Sequence, residues 1–234
     1  MAWSTIRRLM SEAPNLATEQ LTIIVGTGAD SKSFYVHEDL LQAHSDFFAA
    51  ALHKGWKEAE DRIVRLPTER PVHFGLFAHF VYFGKIYSAQ MKPEGEGREA
   101  RGTRATAELD MLHACWLMGD RLMAVAFKDA VVDTFIQTCT DDRRTPTSMH
   151  EAVYAGTAGP NGLRSLLVDY AVWKWKKGAI AEREVDELWV EFFRDFAIRI
   201  CEVTEEEREG PAPYHQYDCR YHEHAAASKP CYRS

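Results

Sequence analysis

Leu21-Thr22-Ile23-Ile24-Val25 runs into Gly26-Thr27-Gly28, and Phe34-Tyr35-Val36 resumes the same chemistry a few residues later. The first run is short, apolar and rich in β-branched residues, which suits a buried strand, and the glycines end it. The turn residues between the two runs fit a hairpin. Leu40-Leu41 opens a helical pattern. Ser45 stands where a helix N-cap belongs, with Phe47, Phe48, Ala51 and Leu52 at helical spacing behind it. Residues 62–67 (RIVRLP) alternate apolar and charged side chains, as a half-buried strand does. Pro71 suits the first position of a helix, where its missing N–H would have no partner anyway. Phe74, Phe77, Phe80 and Val81 give that helix an apolar face, and Gly84 stops it.

Working outward, residues 88–106 carry Pro93, Gly95, Gly97 and Gly102 among charges and lack apolar periodicity, so an exposed inserted loop is expected there. Helical spacing returns at Leu109, Leu112 and Trp116, and again at Leu122, Ala126, Phe127, Val131 and Phe135. The order β-β-α-α-β-α-loop-α-α predicts an α+β domain, a small hairpin-based sheet flanked by helices, over residues 19–140. Residues 1–18 form an N-terminal arm. A charged break at residues 141–146 precedes a C-terminal helical region, 145–203. There Leu166, Leu167, Tyr170 and Trp173 keep helical spacing. Val185, Leu188, Trp189, Phe192, Phe193, Phe196 and Ile200 form an apolar stripe over four turns, opposite Glu184, Glu187, Glu191, Arg194 and Asp195. Core packing is the expected role of that stripe. Residues 204–234 begin with Glu205-Glu206-Glu207 and read as a polar tail bearing Cys and His. No internal repeat is present.

Composition narrows the function classes. The 234 residues are 46% hydrophobic and 12% aromatic, enough for a substantial core. A net charge of −7, without a long basic run, gives no electrostatic footprint for nucleic acid. No run approaches the roughly 18 apolar residues of a membrane span. Residues 1–9 carry two arginines with no apolar stretch behind them, so no secretory signal is expected. The odd count of five cysteines, Cys115, Cys139, Cys201, Cys219 and Cys231, three of them in helical segments, fits a reducing compartment. An intracellular location, nucleus and/or cytoplasm, follows as an expectation. Enzymatic chemistry is not expected. Gly26-Thr27-Gly28 is a lone GxG in a hairpin turn, no nucleophile elbow or P-loop occurs, and Cys115 sits among Leu112, Trp116 and Met118 as a core filler.

The stretch from Leu21 to Gly84 resembles a BTB/POZ domain. The resemblance rests on the LTIIVG strand, Phe34-Tyr35-Val36-His37, Leu40-Leu41, Ser45-Asp46-Phe47-Phe48, Trp56-Lys57-Glu58 ahead of Ile63-Val64-Arg65-Leu66-Pro67, and Tyr82-Phe83-Gly84-Lys85-Ile86. It covers about 120 residues, through the helix pair 109–139. The C-terminal region is similar to that of BTB proteins from filamentous fungi. Such a resemblance implies a protein–protein interaction module and a homodimer. It also implies a second partner, the scaffold of a cullin-type ubiquitin ligase, docked through a hydrophobic-x-Glu motif; Trp56, Lys57 and Glu58 stand at that position, with Phe47 and Leu52 on the preceding helix. A self-associating scaffold or transcription-related protein without ligase recruitment is the alternative. Where dimeric transcription-factor members pair an Asp with a Lys or Arg in a charged pocket, this chain has Gln20 and Glu38, so that pocket does not carry over.

One more pattern lies in the tail, which also resembles the Cys/His-bearing end found in fungal BTB proteins. Cys219, His222, His224 and Cys231 form C-x2-H-x-H-x6-C within thirteen residues. Thiolate and neutral imidazole are the ligands Zn²⁺ prefers, and a Cys-x2-His spacing lets two of them reach one ion. Zinc is therefore the one cofactor to test for, against a plain solvated or loosely docked tail.

Overall fold

The computed structural model describes residue 13 and residues 15–52, 61–146, 149–175 and 187–233. Strands β1 (Gln20–Val25) and β2 (Lys32–His37) form the antiparallel hairpin, Leu21 opposite Val36 and Ile23 opposite Phe34. Strand β3 (Ile63–Leu66) lies parallel to β1 on its other side, giving the order β2-β1-β3. Parallel neighbours need a long crossover, and this one contains helices α1 (Glu38–His44) and α2 (Asp46–Ala51). Alternation puts Leu21, Ile23, Val25, Val36, Val64 and Leu66 on the buried face.

Local chemistry explains the breaks between elements. The buried Ser45 Oγ accepts from the Phe48 amide at 3.2 Å and donates to the Leu122 carbonyl at 2.5 Å. It caps α2 and ties it to the loop of a distant helix pair. Helix α3 (Pro71–Phe83) starts on proline and ends at Gly84, which takes φ +62° and donates its N–H to the Phe80 carbonyl. Only glycine enters that left-handed region without strain.

The expected loop 88–106 is corrected in its second half. Helix α4 runs from Arg98 to Arg121 and packs against α5 (Val125–Asp141). The early turns of α4 lack an apolar stripe because polar pairing holds them. Arg104, nearly buried, bonds both carboxylate oxygens of Glu96 and both of Asp142 at 2.8–3.2 Å. Those bonds hold the Glu96 and Asp142 carboxyls below the usual carboxylate range. The irregular part that remains is not wholly exposed either, since Ser88 is buried and donates to Glu108 at 2.7 Å.

The C-terminal region supplies α6 (His150–Gly156), α7 (Gly162–Lys174) and α8 (Glu187–Glu202). Phe192 is fully buried among His150, Tyr154, Trp175 and Phe196, the packing role expected of the aromatic stripe. Val185 of that stripe lies outside the described residues. A short helix α9 (Glu205–Glu209) follows, closed by a capping box between Thr204 and Glu207. No helix among the described residues is long and apolar enough to cross a membrane.

A single hydrophobic cluster joins the sheet, the α3–α5 helices and the C-terminal region. The tail, read from sequence as polar and core-less, takes part in it: Ala212, Tyr214 and Tyr221 are buried. Tyr214 stacks on Tyr170 at 4.0 Å between ring centroids, and the Tyr221 hydroxyl donates to Asp169 at 2.6 Å. Gly162 makes this docking close, because a Cβ there would stand 1.9 Å from the Tyr221 carbonyl oxygen. Gly162→Ala is therefore expected to push the tail away and to cost about 1–3 kcal/mol, as overpacking does. Denaturant unfolding with limited proteolysis checks it; an unchanged midpoint and an equally protected tail would contradict the packing.

Candidate functional site

Two places on the molecule gather chemistry that the core does not consume. The first is the surface around α2 and the end of α3. Phe47 is half-buried, its ring 5.2 Å from that of Phe48. Leu52, expected beside it on a partner surface, is only 8% exposed and belongs to the core cluster, so it offers a partner little area. Trp56, Lys57 and Glu58 lie outside the described residues. An aromatic cluster not expected from sequence stands at the end of α3. Phe83 and Tyr87 are 61% and 58% exposed, and both pack against His79. The pattern that could have revealed it is the aromatic pair flanking the glycine stop, one turn past the buried face of α3.

The corner between β2 and α1 holds Glu38, where the resemblance implied a cation. Glu38 accepts from Arg62 at 3.0 Å, and Arg62 also reaches Glu19 at 3.1 Å. This chain carries there a carboxylate that shares Arg62 with Glu19. His37 is satisfied locally, its Nδ1 2.7 Å from the Tyr82 hydroxyl. Burial pushes the thiols of Cys115 and Cys139 up to about 12, which removes them as nucleophiles at neutral pH.

The second place is the tail. Cys219, His222, His224 and Cys231 come together there, one ligand atom from each lying within 4.8 Å of every other. The two sulfurs are 3.8 Å apart, and His222 Nδ1 is 3.9 Å from the Cys231 sulfur. Turns across residues 219–228 fold the segment back on itself. Both histidines are held from below by α5. Asp133 accepts from His222 Nε2 at 3.0 Å, and Asp129 accepts from His224 Nδ1 at 2.9 Å. Asp129 also accepts the backbone amides of Glu223 and His224. Burial disfavours the charged form of Asp133, but hydrogen bonds from His222, Arg233 and Tyr232 outweigh it and keep the carboxyl below its usual range. The Cys and His members were legible from spacing. Asp129 and Asp133 were not, since some 90 residues separate them from the tail. An open groove of about 1000 Å³ borders the cluster, with Asp133, His222, Tyr232 and Arg233 on its wall.

Comparison with curated proteins gives no match. The family model described as BTB/POZ domain matches residues 16–95, which span β1 to β3, α1 to α3 and the start of the segment before α4. With the mixed three-stranded sheet and its flanking helices at those positions, the chain carries a BTB/POZ domain, a protein–protein interaction fold, extended by a C-terminal helical region.

Proposed function

We propose that the chain is a non-catalytic adaptor whose BTB/POZ domain recruits a cullin-type ubiquitin-ligase scaffold through Phe47 and Trp56-Lys57-Glu58. The observation behind this reading is Phe47, which α2 leaves half-buried at the surface while its neighbour Phe48 fills the core. Trp56-Lys57-Glu58 follows in the connection to β3, where a Trp offers a large apolar anchor and a Glu a charged contact. Client proteins would then meet the C-terminal region, where α8 exposes Val190 and Ile198. Pulldown with a purified cullin N-terminal region tests the proposal: retention supports it, and no retention removes ligase recruitment.

Self-association is the second reading, favoured by the exposed Phe83–Tyr87–His79 cluster, since aromatic side chains are enriched at interfaces. Light scattering at micromolar concentration is expected to give the mass of two chains. A monomer at every concentration tested would eliminate a homodimer.

A further inference from the structure

We propose that Cys219, His222, His224 and Cys231 bind one Zn²⁺ in a structural site that fastens the tail to helix α5. Zn–S bonds of about 2.3 Å in a tetrahedron put two sulfurs about 3.8 Å apart. That matches the 3.8 Å between Cys219 and Cys231. The same separation is far from the roughly 2.05 Å of a disulfide. Four protein ligands leave no open position for substrate, which is the composition of a structural rather than a catalytic site.

The histidine partners point the same way. A metal-bound imidazole characteristically donates its second nitrogen to a carboxylate, which fixes the tautomer and turns the lone pair toward the ion. Asp133 takes the Nε2 proton of His222 and leaves Nδ1, the nitrogen that faces the Cys231 sulfur. Asp129 takes the Nδ1 proton of His224 and leaves Nε2 to coordinate. The two carboxylates sit one turn apart on α5, so a single rigid helix orients both imidazoles. The His222 imidazole is only 1% exposed, while Cys219 stands at the surface, so the set reaches from the packed side of the tail to solvent.

The consequence is a clasp. The tail meets α5 again through Lys128, which bonds Glu223, and through Tyr232 and Arg233, which both bond Asp133. It reaches α7 through Tyr221 and Asp169, and α2 through Lys229 and Asp46. One ion would thus lock a segment that spans the interaction domain and the C-terminal helices, and its binding energy would become folding energy of that segment.

Metal analysis of the full chain, purified without a His-tag or chelator, is expected to give roughly one zinc per chain. Cys219→Ser with Cys231→Ser is expected to hold less than about 0.2. The chelator-stripped wild-type chain, titrated with Co²⁺, is expected to develop thiolate-to-metal charge transfer and tetrahedral d–d absorption that saturate near one equivalent. This second readout decides the matter if the double variant fails to fold. Less than about 0.2 zinc with no cobalt spectrum would overturn the site. So would zinc content unchanged in the double variant, or a Cys219–Cys231 disulfide in the freshly purified chain.

Discussion

Phe48→Ala is expected to cost about 3–5 kcal/mol, the range for truncating a buried aromatic ring. Phe48 is fully buried and lies at the join of three elements. Its ring neighbours Phe74 and Phe77 of α3 at 6.4 and 6.3 Å, and Phe77 in turn meets Phe127 of α5 at 5.2 Å. Phe34 of β2 closes the chain of rings against Phe74 at 5.0 Å. Removing the central ring leaves a cavity that neither the sheet nor the helix pair can fill without shifting together. For a chain of this size such a loss corresponds to a melting temperature lower by roughly 10 °C. A calorimetric or circular-dichroism melt reads it. A shift under about 2 °C would show that Phe48 does not link these elements.

The hairpin, the Ser45 cap and the Gly84 stop were all legible because each is a local event: a β-branched run, a hydroxyl before a helix, a glycine after one. The first turns of α4 were hidden for the opposite reason. Arg104 has no apolar period around it, and its partners Glu96 and Asp142 lie 8 and 38 residues away, so only the folded chain shows that the charges are paired rather than solvated. The tail divides the same way. Its Cys and His spacing is visible in thirteen residues, while Tyr221–Asp169 and His224–Asp129 are contacts across 52 and 95 residues. Leu52 was misplaced because helical spacing assigns a face but not which neighbour covers it. Here that face is buried in the core cluster.

The zinc test reads metal content and the ligase test reads partner affinity, so the two are separable. Loss of metal would loosen residues 219–231 against α5. Lys229 to Asp46 is the described contact between the tail and α2.

A comparably large effect is expected at the proposed ligase contact. A few buried aromatic and charged residues dominate most interfaces, and truncating one typically costs about 2–4 kcal/mol, or roughly 30- to 1000-fold in Kd. Trp56→Ala removes the apolar anchor and Glu58→Ala the charge. The double variant is checked for an unchanged melt first, so that a loss of binding reads the contact and not the fold. Calorimetric titration of a purified cullin N-terminal region into the wild-type chain and into the Trp56→Ala, Glu58→Ala double variant, each checked for an unchanged melt, tests this directly. Saturable binding by the wild type, weakened at least about 30-fold in the double variant, is the predicted result. No binding by the wild type, or equal affinity in the two, would contradict it.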